Sequence, residues 1–167
     1  MKNTVFNIIL FAIAFGFVEA SVVVYLRHLL GANFIPPQVD RSEILFLTPG
    51  IAFLEPQTAV KIIKNTDILN VERIREAATL VMLASVAFLA GKKIKDRLAY
   101  FFLAFGVWDI FYYVFLKLTI AWPKTFSDMD IFFLLPTPWV GPVYVPILIS
   151  TVLVFGSLFI LIKKGGE

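Results

Sequence analysis

The sequence predicts an all-α polytopic membrane protein: a bundle of four transmembrane helices, built as a tandem parallel repeat of two helix pairs, with both termini cytoplasmic. Three observations point there. The 167-residue chain is 59% hydrophobic with a mean hydropathy of +0.86, well above the apolar share of soluble domains. Four apolar segments, at about 5–27, 73–91, 98–121 and 142–162, meet or approach the roughly 20 helical residues that a hydrocarbon core of about 30 Å requires. Two fourteen-residue stretches in the first and third segments align with one another.

The first segment, 5–27, runs from Val5 to Arg27 with Glu19 as its sole acid. "VEAS" at 18–21 has the small-residue spacing of a signal-peptidase site after Ala20, but the apolar run continues through "VVVYL", so the segment is expected to be retained. The second, "RIREAATLVMLASVAFLAG" at 73–91, is the weakest, being continuously apolar or small only from Ala77. Arg73, Arg75 and Glu76 must then sit at the membrane boundary or inside the protein. The third, 98–121, holds Asp109 beside Tyr112 and Tyr113; the fourth, 142–162, is expected to begin at Pro142 and to kink at Pro146 near Tyr144.

Charge sets the orientation. The loop 92–97, with Lys92, Lys93, Lys95 and Arg97, is expected in the cytoplasm, as are Lys2, Lys163 and Lys164 near the termini. The connections 31–72 and 122–141 then face outward. In the first, "ILFLTPGIAFLEP" reads as an interfacial hairpin or a re-entrant piece around Thr48-Pro49-Gly50, with Asp67 or Asn70 capping the second helix; in the second, Pro136 and Pro138 exclude a plain helix and Trp139 reads as an interface anchor.

The repeat is carried by "AFGFVEASVVVYLR" at 14–27 and "AFGVWDIFYYVFLK" at 104–117, which share five identities and three like-for-like exchanges. Glu19 aligns with Asp109 and Arg27 with Lys117, which predicts two carboxylates at one depth, each about 12 Å inward of a basic end. Ala12, Gly16 and Ala20 form a small-residue stripe that turns Glu19 inward, and the spacing of Gly106, Asp109 and Tyr113 does the same for Asp109.

An ionisable side chain in a membrane helix costs about 2.5–3.5 kcal/mol on insertion scales unless it is neutralised, paired or hydrated. The expected ligand- or proton-binding site is therefore Glu19, Arg75, Glu76, Asp109, Tyr112 and Tyr113, with Arg27, His28, Arg73 and Lys117 at its rim. The competing structural reading is a polar cluster that only fixes helix register. Zero Cys and one His exclude disulfides, thiolate metal sites and His-rich centres, and no metal or cofactor is expected. The net charge of +3 comes from basic helix ends, so no nucleic-acid partner is expected. The expected partners are the lipid bilayer, a lipid or small-molecule ligand, and a membrane-protein partner or a second copy.

The stretches "AFGFVEA", "REAATLVML", "FGVWDIFYY" and "PTPWVGPV" together resemble a group of small uncharacterised prokaryotic integral membrane proteins. The resemblance implies four membrane helices and transfers no activity or catalytic residue; the expected location is the cell (inner) membrane. Three function classes stand: a small-ligand or proton-coupled binding or carrier protein, a non-catalytic subunit or assembly factor of a larger membrane complex, and a membrane-embedded enzyme acting on a lipid or quinone-like substrate.

Overall fold

A computed structural model describes residues 2–30 and 40–164. In chain order these form α1 (Lys2–Leu29), a 3-10 turn (Arg41–Glu43), β1 (Ile44–Thr48), β2 (Ile51–Leu54), α2 (Thr58–Ile62), α3 (Thr66–Ala90), α4 (Ile94–Ile120), β3 (Met129–Phe133), β4 (Trp139–Pro142) and α5 (Tyr144–Lys164). Two compact units result: one from Met1–Val24, Val81–Trp122 and Pro146–Glu167, the other from Tyr25–Leu80 and Pro123–Val145.

Among the described residues three helices are long and apolar enough to cross a membrane: Asn3–Leu29 within α1, α4 over Ile94–Ile120, and α5 over Tyr144–Lys163. They mark the chain as a membrane protein. The fold is nevertheless neither all-α nor a four-helix bundle, for the described residues form five helices and a four-stranded antiparallel sheet of order β1-β2-β4-β3. α3 is a helix but not an apolar span. Its first half carries Asp67, Glu72, Arg73, Arg75 and Glu76, and Glu72 and Glu76 are buried at 6% exposure each. Only Ala77–Ala90 is free of charge, about 21 Å at helical rise, short of a hydrocarbon core.

The helical unit is held by close backbone approaches at two glycines. A Cβ on Gly16 of α1 would lie 2.9 Å from the Trp108 carbonyl oxygen of α4, and one on Gly106 of α4 would lie 2.7 Å from the Ser150 carbonyl oxygen of α5. Side chains larger than hydrogen do not fit there. Ala12 and Ala20, one turn to either side of Gly16, are 0% and 1% exposed, so the small-residue stripe is a packing face. Van der Waals contact is what drives such association in lipid, where apolar burial gives nothing.

These contacts also bear on the repeat, which the structure does not support. Gly16 and Gly106 align in sequence yet serve different helix pairs. Gly16 packs between Trp108 and Tyr112, and Phe17 meets Phe115 at 5.2 Å. That register sets Glu19 about one helical turn further along than Asp109 instead of level with it. The helix paired with α1 in the expected repeat, α3, also lacks the apolar length of α5.

In the second unit, β1 and β2 form a hairpin closed by Pro49 and Gly50. Gly50 has φ +87, the left-handed value that a turn with Pro before Gly requires, and the Thr48 hydroxyl donates to the Ile51 carbonyl at 3.1 Å. β3 and β4 form a second hairpin, and β2 pairs β4 through Ala52↔Val140 and Phe53↔Trp139. Leu54 N–H donates to the Pro138 carbonyl at 2.9 Å, and the Thr137 hydroxyl donates to the Leu54 carbonyl. Under the sheet, Ala59, Ile63, Leu69 and Leu134 form a core with Ile62, Ile68 and Ile131 packed on it.

Three local expectations change. The cap of α3 is Asn65, whose Oδ1 accepts the N–H groups of Asp67 and Ile68 at 3.0 Å each, so neither Asp67 nor Asn70 takes that role. Pro142 ends β4 instead of opening a helix, because α5 starts at Tyr144, whose N–H donates to the Phe126 carbonyl at 2.9 Å. Pro146 falls in the first turn of α5, where the missing N–H has no intrahelical acceptor to lose, so it does not produce the expected kink.

Candidate functional site

The expected site residues divide between the two units. Glu19, Asp109, Tyr112, Tyr113 and Lys117 belong to the helical unit; Arg27, His28, Arg73, Arg75 and Glu76 belong to the sheet-bearing one.

In the helical unit Asp109 is 8% exposed and Glu19 7%. The Ser150 hydroxyl of α5 donates to Asp109 Oδ2 at 2.7 Å, and Ser150 itself is 1% exposed. Gly106, one turn before Asp109, is what brings the α5 backbone close enough for that bond. Sequence reasoning missed Ser150, because hydroxyl side chains recur in these helices, as at Ser21, Ser85, Thr151 and Ser157, and do not stand out as Asp109 does. The flanking rings make a line along α4: Trp108 and Tyr112 lie 6.5 Å apart, Tyr112 and Tyr113 4.8 Å, and Tyr113 and Trp122 6.3 Å. Trp108 and Tyr113 are buried at 4% each, while Lys117 is exposed.

The other unit holds a second set of buried charges. Arg75 forks onto Glu72 of its own helix, Nε donating to Oε2 at 2.9 Å and Nη2 to Oε1 at 2.6 Å. Glu72 was absent from the expected site, and its spacing of three residues from Arg75 was the available signal. Both carboxylate oxygens of Glu76 accept the Leu134 N–H, at 3.0 and 2.9 Å, which ties α3 to the end of β3. Arg27 pairs with Asp130 of β3 at 3.7 Å, both side chains nearly covered. Arg73 donates to the Pro56 carbonyl at 3.5 Å, and His28 is exposed.

Two sites outside the apolar spans carry shifted ionisations. Lys61 donates to Glu43, which holds the Glu43 carboxyl below its usual range and raises the Lys61 ammonium. The pair therefore contributes in the window between them. It is lost as pH falls through the lowered Glu43 value and as pH rises through the raised Lys61 value. Asp128 is lowered by the Thr125 hydroxyl and the Lys124 N–H, each at 2.7 Å, an arrangement present above the ordinary carboxylate range and lost on acidification.

Among the described residues no cluster of three or more His, Asp or Glu side chains could hold a metal ion. Compared with known proteins, the chain matches no family model, no curated protein and no solved structure.

Proposed function

We propose that this is a multi-pass protein of the cell (inner) membrane that binds a small ligand in a proton-coupled manner, with Asp109 as the group that takes up the proton. The observation that carries the reading is the Ser150–Asp109 hydrogen bond at 2.7 Å between two apolar helices. A carboxyl in that setting is costly while charged. A neighbouring hydroxyl can donate to the carboxylate, and it can accept from the acid once the proton has arrived, so both protonation states keep a partner. Glu19, buried on α1 of the same unit, is the second acid of the proposal.

The test uses carboxyl-stretch infrared difference spectra between about pH 5 and 9, across the range where a desolvated acid titrates. The wild type should show an acid band that Asp109→Asn removes and Glu19→Gln shifts, while Asp109→Asn leaves the thermal midpoint little changed because the amide oxygen still accepts from Ser150. An unchanged spectrum together with a large loss of thermal stability would make the bond a static clamp between α4 and α5.

The orientation we propose places the basic ends in the cytoplasm. Asp109 lies against Ser150 and Gly106 against Val154, so α4 and α5 are antiparallel; α1 runs with α4, as Phe17 with Phe115 supports. This brings the start of α1, the 91–97 turn and the end of α5 to one end of the helical unit, which is the basic one. A membrane-impermeant thiol reagent should modify Ser127→Cys from outside intact cells and leave Ile94→Cys untouched; strong external modification at 94 reverses the orientation.

A further inference from the structure

We propose that the β1–β2 hairpin is a lipid-contacting element, its exposed apolar side chains seated at the boundary between headgroups and acyl chains of the bilayer that α5 enters. The inference goes beyond the proton site and uses none of its residues.

The first support is the hairpin's surface. Leu45, Phe46 and Leu47 are consecutive on β1 and 57%, 61% and 66% exposed. β1 is an edge strand whose register shifts between Ile44 and Phe46 and is regular from Phe46 on, so Phe46 and Leu47 point to opposite faces and apolar groups stand out on both sides. No charged residue occurs from Ile44 to Leu54. An edge strand facing water is ordinarily protected by charges, prolines or β-bulges, since bare edges template aggregation; β1 has one irregularity, at its start between Ile44 and Phe46. This one lacks such charges along its length.

The second support is depth. The turn residue Gly50 lies against the Val145 side chain, where an added Cβ would be 2.7 Å from Cγ2. Val145 is the second residue of α5, and α5 is one of the three apolar spans. Gly141, just ahead of α5 on β4, packs on the Gly50 carbonyl as well. The tip of the hairpin is thus at the level where a membrane-crossing helix begins. Its opposite end is polar, with Arg41, Glu43 and Lys61.

Aromatic content agrees with that level. Phe46, Phe53, Trp139 and Phe133 form a line of rings across all four strands, with neighbouring centroids 5.9, 4.9 and 5.9 Å apart. Aromatic side chains concentrate at membrane interfaces, where an apolar body and a wetter surrounding are both available. The open backbone edge of β1 selects the boundary over the hydrocarbon core, because headgroup-region water can satisfy N–H and C=O groups that acyl chains cannot.

The chain contains no cysteine, so single-cysteine variants can carry one environment-sensitive fluorophore each. Leu45→Cys, Phe46→Cys, Leu47→Cys, Lys61→Cys and Val152→Cys would be labelled and reconstituted in phosphatidylcholine–phosphatidylglycerol vesicles. Val152, on α5, is 71% exposed and serves as the buried-in-lipid reference. Labels at 46 and 47 should be quenched strongly by lipids with a nitroxide near the headgroup and be several-fold less sensitive to aqueous iodide than the label at 61. Equal iodide sensitivity at 46, 47 and 61 without nitroxide quenching would place the hairpin in water and overturn the proposal. Protection that disappears as the lipid-to-protein ratio rises would overturn it in favour of contact with a second copy. Absence of quenching at 152 by lipids with a nitroxide deep on the acyl chain would remove the membrane placement itself, which is a separate failure.

Discussion

Gly106→Leu should abolish the compact state of the helical unit, or lower its unfolding free energy by about 2–4 kcal/mol in detergent micelles, at the upper end of what overpacking costs. The reason is what its Cβ would meet: the Ser150 carbonyl oxygen at 2.7 Å and Val154 Cγ2 at 2.8 Å. The first is backbone inside a helix and cannot rotate away. Separating α4 from α5 to make room also lengthens the Ser150–Asp109 hydrogen bond, which adds the cost of two buried polar groups drawn apart. Gly156, on α5, has nothing within 4 Å of its would-be Cβ. Gly156→Leu should therefore change stability by no more than about 0.5 kcal/mol, as exposed substitutions do. Thermal or denaturant unfolding of the two variants side by side is the measurement. Equal behaviour would mean that α4 and α5 do not approach through Gly106.

The stripe around Gly16 shows what could be read from sequence. Ala12, Gly16 and Ala20 recur every four residues in an apolar run, and helical geometry puts such a set on one side, which is the side the structure buries. Membrane character was legible in the same way, because apolar length is a local property. What failed was non-local. Residues 44–54 and 129–142 are short apolar runs flanked by Pro and Gly, and nothing within either run states that β2 pairs β4. Without that pairing the first reads as an isolated interfacial hairpin or re-entrant piece and the second as an irregular interfacial segment, and the fold reads as all-α.

The second misreading has the opposite origin. α3 is continuous from Thr66 to Ala90, so its periodicity is real, but length alone does not say what surrounds a helix. Glu76 is buried against the Leu134 N–H and Leu69 against Leu134. The charged half thus packs with the strands, and only its last turns remain apolar. The aligned acid and base at 19 and 27 and at 109 and 117 were persuasive because charged letters are rare in apolar helices. Their surroundings differ: Arg27 pairs with Asp130 in the second unit, while Lys117 is exposed in the first.

Arg75→Leu should destabilise the sheet-bearing unit by about 2–4 kcal/mol, the range for a buried or hydrogen-bonded charge deprived of its partner. Glu72 is the reason. Its side chain is 8% exposed and receives two hydrogen bonds from the Arg75 guanidinium, whose own side chain is 21% exposed. A planar fork meeting a carboxylate through two parallel bonds is the strongest form of this contact. Arg75→Lys keeps the charge and loses the second bond, so it should fall between wild type and Arg75→Leu. The decisive variant removes both partners. Glu72→Leu combined with Arg75→Leu removes both charges of the pair, so it should be more stable than Arg75→Leu alone, with a coupling of about 1–3 kcal/mol. Urea or thermal unfolding of the four proteins in one detergent closes the cycle. Additive single effects, within about 0.5 kcal/mol, would show that the guanidinium does not owe its place to Glu72.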